Sequence, residues 1–203
     1  MNAIIGLSYL ALKTELTAKQ RDYLNKIENS SQSLLRILND ILDFSKIESG
    51  KLNMEQVNFD LTETLNNLAT MVIVKAQEKE NLEVLFHIDP RVPHLLVGDP
   101  LRLHQVLVNL CDNAIKFTEQ GEVVLTTEMM EKSDKKVTLR FSVRDTGIGM
   151  NAEQMDKLFQ AFTQADTSMT RKYGGTGLGL VISTVLVNLM DGDIRVESEV
   201  GTG

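Results

Sequence analysis

The chain has 203 residues, 42% apolar and 24% charged, with a net charge of −7 and a pI near 5.0. That acidic balance argues against a nucleic-acid surface, because a phosphate backbone is held by basic patches. A lone cysteine, Cys111, excludes a disulfide framework or cysteine-rich zinc site within the chain and reads as a buried free thiol.

The length admits one or two domains at about 150 residues each. No segment approaches the roughly 18 consecutive apolar residues of a membrane helix. Residues 1–12 lack the charged start and cleavage pattern of a signal peptide. A cytoplasmic location is expected for these residues, with any membrane anchor of the full protein elsewhere and no membrane contact by this part.

In chain order, residues 1–13 predict the end of a helix and Thr14 to Thr17 a turn, with Thr17 capping a second helix that runs to Ser49 and stops at Gly50. In that helix Leu24, Ile27, Ser31, Leu34, Leu38 and Ile41 step by three and four, and Leu35, Ile37, Leu42 and Phe44 widen the stripe beyond a two-stranded seam. Such a helix needs several neighbours. A four-helix bundle formed across a two-fold axis supplies them, and the alternative is a hairpin packed on its own second domain.

Lys51 to Asn58 reads as a linker or first edge strand, and the second domain begins near Phe59. Asp60 with Glu63 makes a capping box for a helix through Leu61, Leu65, Leu68, Val72 and Ala76. Leu82 to Ile88 alternates as a strand. Asp99 is a good N-cap, Pro100 suits the first helical position, and Leu103, Val106, Leu107, Leu110, Ala114 and Phe117 carry the helix onward. Glu122 to Met130 and Val137 to Arg144 are expected strands joined by a polar hairpin connector, Glu131 to Lys136. A helix from Gly177 to Met190 and a strand from Asp193 to Val200 complete an α+β chain.

The helix that follows Asp99 places Asn109 and Asn113 on one face, with Lys116 a turn further on. Two carboxamides on a helical stripe are by themselves compatible with a solvated surface. Two glycine clusters follow in order, Asp145-Thr146-Gly147-Ile148-Gly149 and Gly174-Gly175-Thr176-Gly177-Leu178-Gly179-Leu180, and together they hold six of the thirteen glycines. Glycine at such places lets backbone N–H groups approach phosphates and permits tight turns. One cluster alone reads equally as a turn or a helix cap; with the Asn-bearing helix, a nucleotide site is the natural reading. A carboxamide oxygen suits Mg²⁺ beside phosphates, and a lysine ammonium neutralises phosphate charge. No GxxxxGK[ST] sequence is present, which excludes a P-loop enzyme. His87, His94 and His104 lack an acidic neighbour and read as structural.

At these residues the chain resembles the sensor histidine kinases. NLCDNAIKFT (109–118) is similar to that family's N box, DTGIG (145–149) to its first glycine box, LFQAF (158–162) to its F box and GGTGLGL (174–180) to its second glycine box. MNAIIGLSYLAL (1–12) resembles the tail of the H box, whose phosphoacceptor His stands upstream of the Met-Asn pair. The resemblance implies a helical hairpin that dimerises into a four-helix bundle, then a Bergerat-type α/β sandwich with helices on one face of a mixed sheet. The expected domains are 1–50 for dimerisation and phosphotransfer, lacking the acceptor His, 51–58 as linker and 59–203 for ATP binding, with the family's last strand falling beyond Gly203.

Roles follow from the resemblance. Asp145 would accept from the adenine amino group, with Gly147, Ile148 and Gly149 around it. Asn113 would ligate Mg²⁺. Asn109 stands where related ATPases carry a water-activating Glu, so transfer is favoured over hydrolysis. Lys116 and Phe117 would contact the nucleotide. Residues 164–175 would form the ATP lid, with Arg171 and Lys172 reaching the γ-phosphate, Tyr173 beside them and Phe159 and Phe162 anchoring it. Gly174, Gly175, Thr176, Gly177, Leu178 and Gly179 would present amides to the phosphates.

The implied activity is ATP-dependent protein-histidine kinase in bacterial two-component phosphorelay, of the hybrid subgroup on the MNAIIG and FTQAD wording. The implied partners are a second copy of the chain and a receiver domain. A fragment with no acceptor of its own is expected not to autophosphorylate. The alternatives are a gyrase-like or Hsp90-like ATP hydrolase and a non-catalytic ATP-sensing dimerisation module.

Overall fold

The structure is a computed structural model that describes residues 1–158 and 177–203. The chain divides into two compact units, Met1–Leu52 and Asn53–Gly203.

The first unit is a helical hairpin of α1 (Asn2–Leu12) and α2 (Ala18–Glu48). Thr17 caps α2 with a full capping box, its hydroxyl accepting from the Gln20 N–H while the Gln20 side chain accepts from the Thr17 N–H. Arg21 bonds the Leu12 carbonyl across the turn. Gly50, at φ 63, ends α2 with its N–H on the Ile47 carbonyl. Within the single chain Leu34, Leu38, Ile41 and Leu42 of α2 stay exposed, as do Leu7 and Leu10 of α1.

The second unit begins with β1 (Val57–Asp60), which runs directly into α3 (Leu61–Ala76). Asp60 caps α3 by accepting from the N–H groups of Thr62 and Glu63. Next come β2 (Leu82–Ile88), β3 (Leu95–Gly98), α4 (Pro100–Phe117), β4 (Gly121–Lys132) and β5 (Val137–Asp145). A short α5 (Ala152–Lys157) and α6 (Gly179–Leu189) follow among the described residues. β1 pairs antiparallel with β3, and a mixed sheet has the order β2-β4-β5, parallel then antiparallel.

One stripe of α3, made by Leu61, Leu65, Leu68, Val72 and Ala76, is buried against Leu107, Cys111, Ala114 and Ile115 of α4 and Val123 and Leu125 of β4. These α3 positions repeat at helical spacing, and those of β4 alternate at strand spacing, so helices and sheet share one core. Thr127 is buried on the same strand, its hydroxyl without a hydrogen-bond partner among the described residues.

Three expectations change. β3 and α5 are elements the pattern did not predict. The strand expected over Asp193 to Val200 does not form: Glu199 N–H bonds the Gly203 carbonyl and Gly201 N–H bonds the Ile148 carbonyl, so the segment's end closes as a turn instead of joining a ladder.

Candidate functional site

α4 is fixed at its start by Asp99, whose carboxylate caps the Arg102 N–H through one oxygen at 3.0 Å and accepts the Glu55 N–H on the other at 3.1 Å. Pro100 opens the helix, where its missing N–H costs nothing. Toward the other end the face away from the core carries Asn109, Asn113 and Lys116, all half-buried.

Asn109 donates from Nδ2 to the Ser183 hydroxyl of α6 at 2.9 Å. Its Oδ1 lies against Gly179, where a Cβ would overlap it. Asn113 makes no side-chain hydrogen bond among the described residues, so its carboxamide oxygen keeps its acceptor capacity. The Lys116 ammonium lies 4.8 Å from the centroid of the neighbouring Phe117 ring.

α4 ends at Thr118, which is fully buried; its hydroxyl donates to the Ala114 carbonyl at 2.8 Å and lies 3.4 Å from Asp145 Oδ1. Asp145 closes β5, and the same Oδ1 accepts the Gly147 N–H at 2.9 Å. Its second oxygen has no hydrogen bond among the described residues. The loop that follows is bound to α4 by the Ile148 N–H on the Phe117 carbonyl at 3.3 Å. It is bound to β4 by Thr146, whose hydroxyl accepts the Glu122 N–H.

Gly147 is packed so closely that a Cβ would meet the Phe117 carbonyl and the Asp145 carboxylate. Gly149, at φ 61, would direct a Cβ into the Glu199 carbonyl. Ser198 completes this side by accepting from the Met150 N–H and donating to the Gly203 carbonyl.

The structure therefore brings Asn109, Asn113, Lys116 and Phe117 onto one helix, ties Asp145, Gly147, Ile148 and Gly149 to that helix's end, and sets Gly179 against Asn109. Leu178 is buried and stands at the N-cap of α6, with no side-chain cap among the described residues. Phe159, Phe162, Arg171, Lys172, Tyr173, Gly174, Gly175 and Thr176 lie outside the described residues. Thr118, Ser183 and Ser198 join the site without having been picked out in sequence. Of these Thr118 had a signal, a small hydroxyl residue where the amphipathic pattern of α4 stops. Among the described residues no group of three His, Cys, Asp or Glu side chains could hold a metal.

Residues 98–203 match the family described as histidine kinase-, DNA gyrase B- and HSP90-like ATPase, and residues 1–50 match the His Kinase A (phospho-acceptor) domain. Relatives include the signal transduction histidine-protein kinase BarA of Escherichia coli, 49% identical, and the sensor histidine kinase GacS of Pseudomonas protegens, 48% identical, each over all of this chain. The chain spans 22% of the length of each of these relatives. Among solved structures, full-length ShkA in complex with AMPPNP is 32% identical with a TM-score of 0.77, covering 99% of this chain and 40% of that one. The fold and site thus define a member of the histidine kinase, gyrase B and Hsp90 ATPase group. Within that group, the chain belongs to the sensor histidine kinases.

Proposed function

We propose that the second unit binds Mg·ATP and presents the γ-phosphate to a histidine, as the catalytic part of a hybrid-type sensor kinase in a two-component relay. The observation that carries this reading is Asp145, with one carboxylate oxygen engaged by Gly147 and the other without a hydrogen bond among the described residues at the end of β5. An open carboxylate acceptor there suits the amino group of adenine and disfavours the keto group of guanine, which brings no proton. The bound AMPPNP of the ShkA structure supports the same choice.

The domains proposed are 1–50 for dimerisation and phosphotransfer, 51–58 as linker and 59–203 for nucleotide binding. Asn113 is the residue that would hold Mg²⁺, since its carboxamide oxygen has no hydrogen bond among the described residues and a hard cation accepts one such oxygen beside phosphates and waters. When bound, the ion supplies charge neutralisation on the phosphate oxygens. Asn109, bonded to Ser183, offers no base to water, which favours transfer over hydrolysis. Lys116, with Arg171 and Lys172, contributes positive charge to the phosphates, and Gly174, Gly175, Gly177 and Gly179 contribute amides.

Transfer forms a bond from imidazole nitrogen to γ-phosphorus as the bond to the bridging oxygen breaks, and ADP leaves. The three histidines of this chain all stand in the second unit, so the acceptor is proposed to be an imidazole on a bundle helix outside these 203 residues. The partners proposed are a second copy of the chain and a receiver domain that takes the phosphoryl group on aspartate.

Isothermal calorimetry of Mg·ATP with the wild-type chain and Asp145→Asn tests the site. Binding that disappears in the variant, with circular dichroism unchanged, is expected; equal binding by both removes the adenine assignment. Labelling of a separately supplied H-box protein from γ-labelled ATP distinguishes a kinase from a nucleotide-sensing module, and phosphate release into water identifies a hydrolase.

A further inference from the structure

Lys79 stands in the loop between α3 and β2, well outside every motif that marks the site. It is half-buried, and its ammonium reaches the end of α4. Nζ donates to the Ile115 carbonyl at 2.6 Å and the Thr118 carbonyl at 2.6 Å, with the Lys116 carbonyl at 3.5 Å. A helix leaves its last carbonyls without intrahelical partners and concentrates partial negative charge there. An ammonium with three donors matches such a set in number and sign.

The turn that Lys79 grips also carries the contacts that hold the Asp145 loop. The Phe117 carbonyl takes the Ile148 N–H, and the Thr118 hydroxyl faces Asp145 Oδ1. The Thr118 carbonyl and hydroxyl therefore link the ammonium to the carboxylate through a single residue.

We propose that Lys79 is a positioning residue for the adenine end of the nucleotide site, acting through the last turn of α4 on Thr118 and Asp145. The proposal rests on the nucleotide reading given above. Without the ammonium the carbonyls of Ile115 and Thr118 turn toward water, the last turn loosens, and Phe117 and Thr118 no longer hold the loop in register. The loop that loses its position carries Asp145 at the adenine end, which ATP and ADP share, so both nucleotides weaken. Lys79 lines a groove of about 450 Å³ together with Ala76, Leu82 and Val84 among others, so the space left by a shorter side chain adjoins that groove.

The test is calorimetric titration of ATP and of ADP into the wild-type chain, Lys79→Ala and Lys79→Met, with and without propylammonium. Lys79→Met retains the apolar stem and serves where the alanine variant loses stability. Circular dichroism at the assay temperature identifies the folded variants. Both variants are expected to bind on the order of tenfold more weakly, the scale of a lost charge-assisted hydrogen bond. Propylammonium supplies the atoms missing from Lys79→Ala and is expected to restore its affinity, while leaving Lys79→Met, whose stem fills that space, unchanged.

Folded variants that bind as the wild type does overturn the proposal. So do a loss that propylammonium does not correct in folded Lys79→Ala, and a loss confined to ATP. Failure of the wild type to bind either nucleotide removes the nucleotide reading and this proposal together, whereas a binding wild type with unaffected variants removes only the role of Lys79.

Discussion

Cys111 lies two positions beyond Asn109 on α4, yet it belongs to the core, at 1% exposure among Leu65, Leu68 and Leu107. Burial, reinforced by the neighbouring Asp112 charge and opposed by Lys75, pushes its thiol from the ordinary 9.0 up to about 12. Two outcomes follow at this residue. Iodoacetamide at mildly alkaline pH is expected to label the thiol only after unfolding, as mass spectrometry in urea and in buffer would read. Folded and unfolded chains both keep the proton below pH 9; between pH 9 and about 12 only the unfolded chain releases it, so stability falls across that window. A denaturant midpoint that stays level from pH 8 to 11 would contradict this. At the same scale, residue type and helical spacing single out Asn109 and Asn113, and the resemblance singles out Asp145; the roles of all three are proposals. Ser183 and Lys79 were not singled out, because each acts through a contact between segments distant in sequence, on a backbone atom or a side chain that no pattern encodes.

The long elements follow local rules closely. α2, α3 and α4 begin at Thr17, Asp60 and Asp99 as their capping residues require, and in α3 and α4 the apolar steps also give the buried face. The shorter ones escaped. β3 has four residues and exists because β1 pairs with it, while α5 has six, too few for periodicity, although Asn151 and Gln154 form a complete capping box. The run from Asp193 to Val200 has the alternation of a strand, but alternation specifies a face and not a partner. Thr17 permits a test at this scale. Thr17→Ala removes the hydroxyl acceptor for the Gln20 amide and is expected to cost the first unit about 1 kcal/mol. The helical signal in a thermal scan would move to lower temperature while ATP affinity stays level; no movement would show that the cap contributes nothing.

For the whole molecule, the two units differ in how complete they are. The second unit contains a closed core of helix and sheet side chains. The first buries only Ser8 and Ser31, and it leaves Leu34, Leu38, Ile41 and Leu42 uncovered along α2. On the proposed homodimer this stripe is the core of a four-helix bundle that a single chain cannot assemble. Sedimentation equilibrium is expected to give a dimer for the wild type and a monomer for Leu38→Glu combined with Ile41→Glu, with Mg·ATP affinity of the second unit retained. A dimer that survives both substitutions would place the association elsewhere.

The crowding at Gly147 and Gly149 has a further bearing on how this loop would change over a lineage. The space denied to a Cβ there is filled by the chain's own atoms, chiefly the carbonyls of Phe117 and of Glu199, with the Asp145 carboxylate also beside Gly147. A descendant that had given up the nucleotide would still need both glycines in order to close the loop, and would be free to change Asp145. Persistence of the glycine wording therefore records inheritance of the fold, and the residue whose drift separates a working site from a silent copy is the aspartate beside it.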